Sequence, residues 1–151
     1  MNTRPDFYCN CIRAFAQSEY AVIMSVGGEN TLESLGVIPD HFTVAQSVKQ
    51  IDVLQKADVF LTHCGMNSTN EALYYGLTLL LFPQTTELAH RVKELGTGAY
   101  LEDDSPENIK PGILEVLETS SYRQAAEKIS EGFHRCGGSK VAADKIEALC
   151  G

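Results

Sequence analysis

Apolar runs of strand length alternate along this chain with amphipathic stretches of helix length. That order predicts an α/β domain built on a parallel sheet. Residues 20–26, YAVIMSV, form a buried strand ending at Gly27-Gly28, and 42–46, FTVAQ, a shorter one. Residues 58–62 make the next strand, and 78–82, TLLLF, a central strand: five residues without polar alternation fit a strand covered on both faces. A last short strand falls at 99–101. Between them the 3.6-residue period predicts helices over 7–18, with Ile12, Phe15 and Ala16 inward, and over 51–57, 67–75 and 87–95. Gly76 closes the third of these as a residue that accepts positive φ, and glycine again ends the fourth.

The rest is helical. Ser105-Pro106-Glu107 reads as an N-cap followed by proline at the first helical position, and Pro111-Gly112 predicts a kink or a restart soon after. Tyr122, Ala126, Ile129 and Phe133 mark one helical face. Gly137-Gly138 breaks that helix, and Ser139 could cap a final one with Ala142, Ile146 and Leu149 inward. No repeat or low-complexity linker interrupts the 151 residues, so one domain is expected, with a doubly wound, Rossmann-like parallel sheet.

Composition narrows the partners. The chain is 44% hydrophobic and 21% charged, as a folded domain requires, and its net charge of −8 argues against nucleic acid or an anionic membrane surface. One small phosphorylated ligand stays compatible, because a local site can be electropositive on an acidic protein. No apolar stretch approaches the roughly 20 residues of a membrane span, and no basic-then-apolar leader opens the chain. The five scattered cysteines suggest a reduced, cytoplasmic protein. A metal reading of Cys9 and Cys11 is weak, since helical residues two apart point to different sides. A phosphatase-loop reading of Cys64 fails because Asn70 stands where the arginine is needed.

Two loops leave strands at the carboxyl edge, where doubly wound sheets bind ligands, with unusual polar content: HCGMNSTNE at 63–71 and PQTTE at 83–87. Taken singly, their residues have plain roles. His63 can be a structural histidine, Asn67 or Ser68 an N-cap, Met66 packing, and Glu71 a solvated helix residue. Jointly they describe more. Gly65 lets backbone approach a ligand, and Asn67 and Ser68 fall where helical N–H groups lack partners and the dipole is positive. Such an end binds phosphate, His63 can donate to a phosphate oxygen, and Glu71, one turn on, can accept two hydrogen bonds from a vicinal diol. The combination suits a nucleoside diphosphate better than a free phosphate.

The block HCGMNSTNEALYYG followed by FPQTTE closely resembles the donor-sugar signature of the UDP-glycosyltransferases, most nearly the bacterial macrolide type. The likeness continues upstream through VKQIDVLQKADVFLTHCG and downstream through RVKELGTGAYL, and so covers nearly the whole chain. The resemblance implies the C-terminal, nucleotide-sugar half of a GT-B fold. It implies a UDP-sugar substrate, no cofactor and no metal. An N-terminal acceptor domain or partner subunit would carry the catalytic base, so no catalytic residue is expected in this half. An alternative is a non-catalytic donor-binding subunit of a two-subunit glycosyltransferase; a GT-B-fold nucleotide-sugar epimerase fits the HCGMNST wording less well.

Carried over by position, the resemblance gives His63 and residues Gly65, Met66, Asn67 and Ser68 to the diphosphate, and Glu71 to the ribose. Gln50 would assist near the ribose or base, Val48 would offer main-chain groups to the uracil edge, and Glu87 would grip sugar hydroxyls. Departures from the pattern are Ser47 where relatives stack an aromatic residue on uracil, Lys49 for proline, Leu88 for a glutamine, and a shortened segment between Pro83 and Arg91. The first apolar strand of this half, which should precede NTRPDF near the sheet centre, has no counterpart in the sequence. Its neighbours would then pair directly, or another chain, such as a second copy in a homo-oligomer, would donate a strand.

Overall fold

The computed structural model describes residues 5–28, 32–82 and 86–150. Helix α1 (Pro5–Phe15) leads to strand β1 (Val22–Ser25) and, past a 3-10 turn at Leu32–Leu35, to β2 (Phe42–Ala45). Then follow α2 (Gln50–Leu54), β3 (Val59–Thr62), α3 (Met66–Tyr74), β4 (Thr78–Leu81), α4 (Thr86–Glu94) and β5 (Gly98–Tyr100). Three helices close the chain: α5 (Pro106–Glu118), α6 (Ser120–Arg135) and α7 (Gly138–Cys150). The expected strands are all present: β2, β3 and β4 are each one residue shorter than expected, β1 is three shorter, and β5 is shifted one residue earlier. Ala16 lies past the end of α1 and is exposed; Ala14 takes the inward place beside Ile12 and Phe15.

β4 shows why the sheet needs layers on both sides. Leu80 enters one core with Ile12, Phe15, Met24, Val26, Phe42, Ile109, Ile113 and Val116, under α1 and α5. Leu79 and Leu81, pointing the other way, enter a second core with Leu54, Ala72, Leu73, Ala89 and Val92, under α2, α3 and α4. All three leucines are fully buried, and each contributes roughly 1.5–3 kcal/mol through that burial.

All pairings are parallel, but the strands form two groups: β1 with β2, and β3 with β4 and β5. The register sets Val22 opposite Phe42, Val59 opposite Thr78, and Leu79 opposite Gly98. The expected direct pairing is not made: among the described residues β1 pairs with β2 alone and β3 with β4 alone. Both groups nevertheless pack on the same core, into which Val22, Val44, Val59 and Leu61 all reach. Their carboxyl ends share one edge, because Gln50, just after β2, bonds Ser68 and Glu71, just after β3.

Glycine ends the helices as the sequence suggests. Gly76 has φ +73, with its N–H on the Leu73 carbonyl and the next N–H, of Leu77, on that of Ala72. Three other expectations need correction. Of the kink or restart expected at Pro111-Gly112, the restart does not occur: α5 runs from Pro106 to Glu118 with Pro111 inside it. Gly112 has a packing role there, as a Cβ would sit 3.1 Å from both Leu80 methyls. Ser139 does not cap α7, which already begins at Gly138. Nor does α7 turn Ala142, Ile146 and Leu149 inward: all three are exposed, Ile146 to 62% and Leu149 to 87%.

Candidate functional site

β3 ends at Thr62, and the next three residues make the turn into α3. Cys64 sits at φ +65, a left-handed conformation uncommon for a residue with a side chain, and its N–H reaches the Thr62 hydroxyl at 3.2 Å. Its thiol is buried, and burial pushes its pKa up to about 11, so it is neutral near pH 7 and suited to packing rather than attack. The turn places exposed His63 against Gly65, where a Cβ would lie 3.3 Å from the ring Nε2. Glycine at 65 therefore spares a contact within the turn itself.

Gly65 is also the N-cap of α3, with no side-chain cap, and the helical ladder begins with the Thr69 N–H on the Gly65 carbonyl at 2.9 Å. Neither Asn67 nor Ser68 is a cap. Met66, Asn67 and Ser68 occupy the first three helical positions, whose N–H groups point out along the positive end of a nine-residue helix. Met66 and Asn67 are exposed and Ser68 is half-buried. The Thr69 hydroxyl behind them is buried without a hydrogen-bond partner among the described residues.

A polar triangle stands beside this helix end. The Gln50 amide donates to a Glu71 carboxylate oxygen at 2.6 Å and to the Ser68 hydroxyl at 3.2 Å, and that hydroxyl returns a bond to the Gln50 carbonyl oxygen at 3.3 Å. The bond to Glu71 is charge-assisted and short, which fixes the carboxylate on the side of α3 that faces the loop after β2. Val48 is half-buried in that loop, two residues before Gln50. The structure thus gathers Val48, Gln50, His63, Gly65, Met66, Asn67, Ser68 and Glu71 at one edge. Pro83, Gln84 and Thr85 lie outside the described residues, as does the Glu87 side chain, whose backbone is in the first turn of α4.

Among the described residues no group of three or more His, Cys, Asp or Glu side chains is arranged to hold a metal. Cys9 and Cys11 have different surroundings: Cys9 is half-buried with its thiol 4.0 Å from the Ser34 carbonyl oxygen, and Cys11 is buried. No helix of the described residues is long and apolar enough to cross a membrane. Sequence reasoning missed the left-handed Cys64 and the Thr62 hydroxyl bonded to it. The HCG order holds no propensity signal for that conformation, which glycine would ordinarily supply.

Residues 11–148 match the family model described as "Erythromycin biosynthesis protein CIII-like, C-terminal domain". The chain belongs to this family. It is 41% identical to the NDP-glycosyltransferase YjiC of Bacillus subtilis over 153 aligned residues, and 29% identical to the demethyllactenocin mycarosyltransferase of Streptomyces fradiae. Each alignment takes in 98% of this chain but only 39% and 33% of the relative, so the chain spans well under half the length of these curated relatives. Its fold superposes on CalG4, the calicheamicin glycosyltransferase, with a TM-score of 0.91 at 31% identity, covering 97% of this chain and 38% of that one. The glycosyltransferase of kitacinnamycin gives 0.89 at 27% identity, with 97% and 39% covered. This member of the CIII-like family is thus an α/β, Rossmann-like C-terminal domain of the macrolide glycosyltransferase type, with GT-B enzymes as its structural neighbours.

Proposed function

We propose that this domain binds the UDP-sugar donor of an inverting glycosyltransferase that passes a hexose to a small-molecule acceptor in the cytoplasm. The observation that supports this reading best is the Gln50–Ser68–Glu71 triangle beside the open amino end of α3. It sets an oriented carboxylate one helical turn from a cluster of N–H donors, the spacing of a ribose from its diphosphate. In this reading the N–H groups of Met66, Asn67 and Ser68, with the His63 ring, hold the diphosphate. Glu71 accepts from the ribose hydroxyls, having lone pairs beyond the one Gln50 uses. Val48 meets the uracil edge with main-chain groups, and Glu87 takes sugar hydroxyls.

Charge grows on the diphosphate as the sugar leaves, so donors already fixed around it lower the barrier without reorganising. Activation of the acceptor hydroxyl falls to a base on a separate acceptor-binding half, and this domain alone holds donor without transferring its sugar. No cofactor enters the scheme. Calorimetry with UDP and UDP-glucose tests it: binding should be lost in His63→Ala and weakened in Glu71→Ala. Absence of heat at millimolar UDP would remove the site from this chain.

A further inference from the structure

We propose that the hollow over the exposed side of α3, between α2 and α6, is a binding site for a small organic ammonium cation, held by aromatic faces and the Glu71 carboxylate. The hollow has a volume of about 240 Å³ and is lined by Ile51, Asn70, Glu71, Tyr74, Tyr75 and Phe133. It does not depend on the donor-binding reading, with which it shares only Glu71.

Helical spacing builds the hollow. Asn70 and Tyr74, and likewise Glu71 and Tyr75, stand one turn apart, so they neighbour each other along one side of α3 and its C-cap. α2 adds Ile51, the residue after Gln50, and α6 adds Phe133. Two hydrogen bonds fix the walls. The Ser130 hydroxyl donates to the Tyr74 carbonyl at 2.6 Å, tying α6 to α3, and the Gln55 amide donates to the Tyr75 hydroxyl at 3.3 Å. The rings do not close the space by stacking on one another. Tyr74 meets Tyr75 with ring centroids 5.1 Å apart at 83°, and Phe133 at 6.3 Å and 53°. Tyr74 and Phe133 stay 38% and 37% exposed, so solvent and ligand reach them.

This lining selects a cation. A ring face carries partial negative charge and attracts a cation within about 6 Å of its centroid. Mutually inclined rings offer such faces from different directions, which suits a compact ammonium head group better than a flat ring. No lysine or arginine lines the hollow, and its charged member is a carboxylate. Gln50 uses one Glu71 oxygen, so the carboxylate keeps lone pairs for a second partner. The His134 ring packs on Tyr74 at 4.2 Å without lining the hollow. The net charge of −8 draws cations rather than anions from solution. An alkylammonium meets both requirements at once, with its carbon groups on the rings and Ile51 and its charge near Glu71. A neutral hydrocarbon of the same shape meets only the first.

Choline and its carbon analogue 3,3-dimethylbutan-1-ol share a shape and differ in charge, so the pair tests the assignment. Each is titrated into the whole chain at constant chloride, without nucleotide, and followed by nuclear magnetic resonance of the aromatic side chains. Choline should saturate in the millimolar range and shift the Tyr74, Tyr75 and Phe133 rings, and the alcohol should bind about tenfold or more weaker. Tyr74→Leu and Phe133→Leu keep apolar bulk but remove a ring face, and each should weaken choline about threefold. Glu71→Gln should weaken it by a similar factor, and Phe133→Trp, which presents a stronger face, should tighten it. Equal binding of the alcohol would make the hollow merely apolar and overturn the proposal. So would no saturation by about 50 mM choline, an affinity unchanged across the ring variants, or shifts confined to other residues. Neither ligand carries phosphate or ribose, so a chain that binds choline but not UDP would refute only the donor-binding reading, and the reverse result only the cation site.

Discussion

Glu71 offers the sharpest perturbation, because its assigned role predicts a change in selectivity and not only in affinity. Glu71 is half-buried on α3, held by the Gln50 amide at 2.6 Å. If it accepts from both ribose hydroxyls, each hydrogen bond to the charged carboxylate is worth about 1.5–3 kcal/mol. Removing the 2′-hydroxyl then loses one of them. The wild-type chain should bind 2′-deoxy-UDP about tenfold or more weaker than UDP, since 1.4 kcal/mol is about a factor of ten. In Glu71→Ala both hydroxyls lose their acceptor, so UDP affinity should fall about a hundredfold or more while the ratio between the two nucleotides collapses toward about one. Gln50→Ala leaves the carboxylate but frees its rotamers, so an intermediate loss with a partly retained ratio is expected. Competition calorimetry against UDP measures all three. A Glu71→Ala variant that still prefers UDP to 2′-deoxy-UDP by the wild-type factor would refute the assignment of the ribose to this carboxylate.

The remaining predictions concern the scaffold. A Cβ at Gly98 would overlap the Leu79 carbonyl across the β4–β5 pairing, so Gly98→Ala should cost about 3 kcal/mol or more, read by urea unfolding. Burial raises the thiol pKa of Cys64 to about 11 and of Cys11 to about 12. Unfolded thiols ionise near pH 8.5, so the folded state holds the extra protons above that value, and stability should fall as pH rises from about 9 toward 12. Replacing both cysteines with alanine should flatten that slope, even though it lowers stability near pH 7. Deleting residues 138–151 removes a helix whose described side chains are exposed, and should leave the melting temperature within about 2 °C. A larger drop would mean that α7 packs on the domain.

Much of the fold was legible because local chemistry and burial agree. TLLLF announces a strand covered on two faces, and Leu79, Leu80 and Leu81 alternate between two cores as that reading requires. Gly76 and Gly96 end their helices at positive φ, where a side chain would be strained. What failed depended on tertiary surroundings. Pro111 and Gly112 look like breakers by propensity, but α5 continues through both, and close approach to Leu80 makes glycine useful there. Ile146 and Leu149 share a helical face without a core to meet. At the candidate site, the turn and helix start were visible in HCGMNST, but the cap proved to be Gly65, so Asn67 and Ser68 present their N–H groups instead. Gln50 is separated from Ser68 by 18 residues, and only the parallel topology brings their side chains within 3.2 Å. Resemblance, not periodicity, pointed to Gln50.

The central claim is that the amino end of α3 receives the diphosphate of a nucleotide. Amide chemical shifts recorded by nuclear magnetic resonance during a UDP titration test it most directly. The account predicts that Met66, Asn67 and Ser68 shift most, saturating together with the His63 ring, and that uridine without phosphate leaves them nearly unmoved. Saturable UDP binding that shifts amides elsewhere while those three stay still would contradict it.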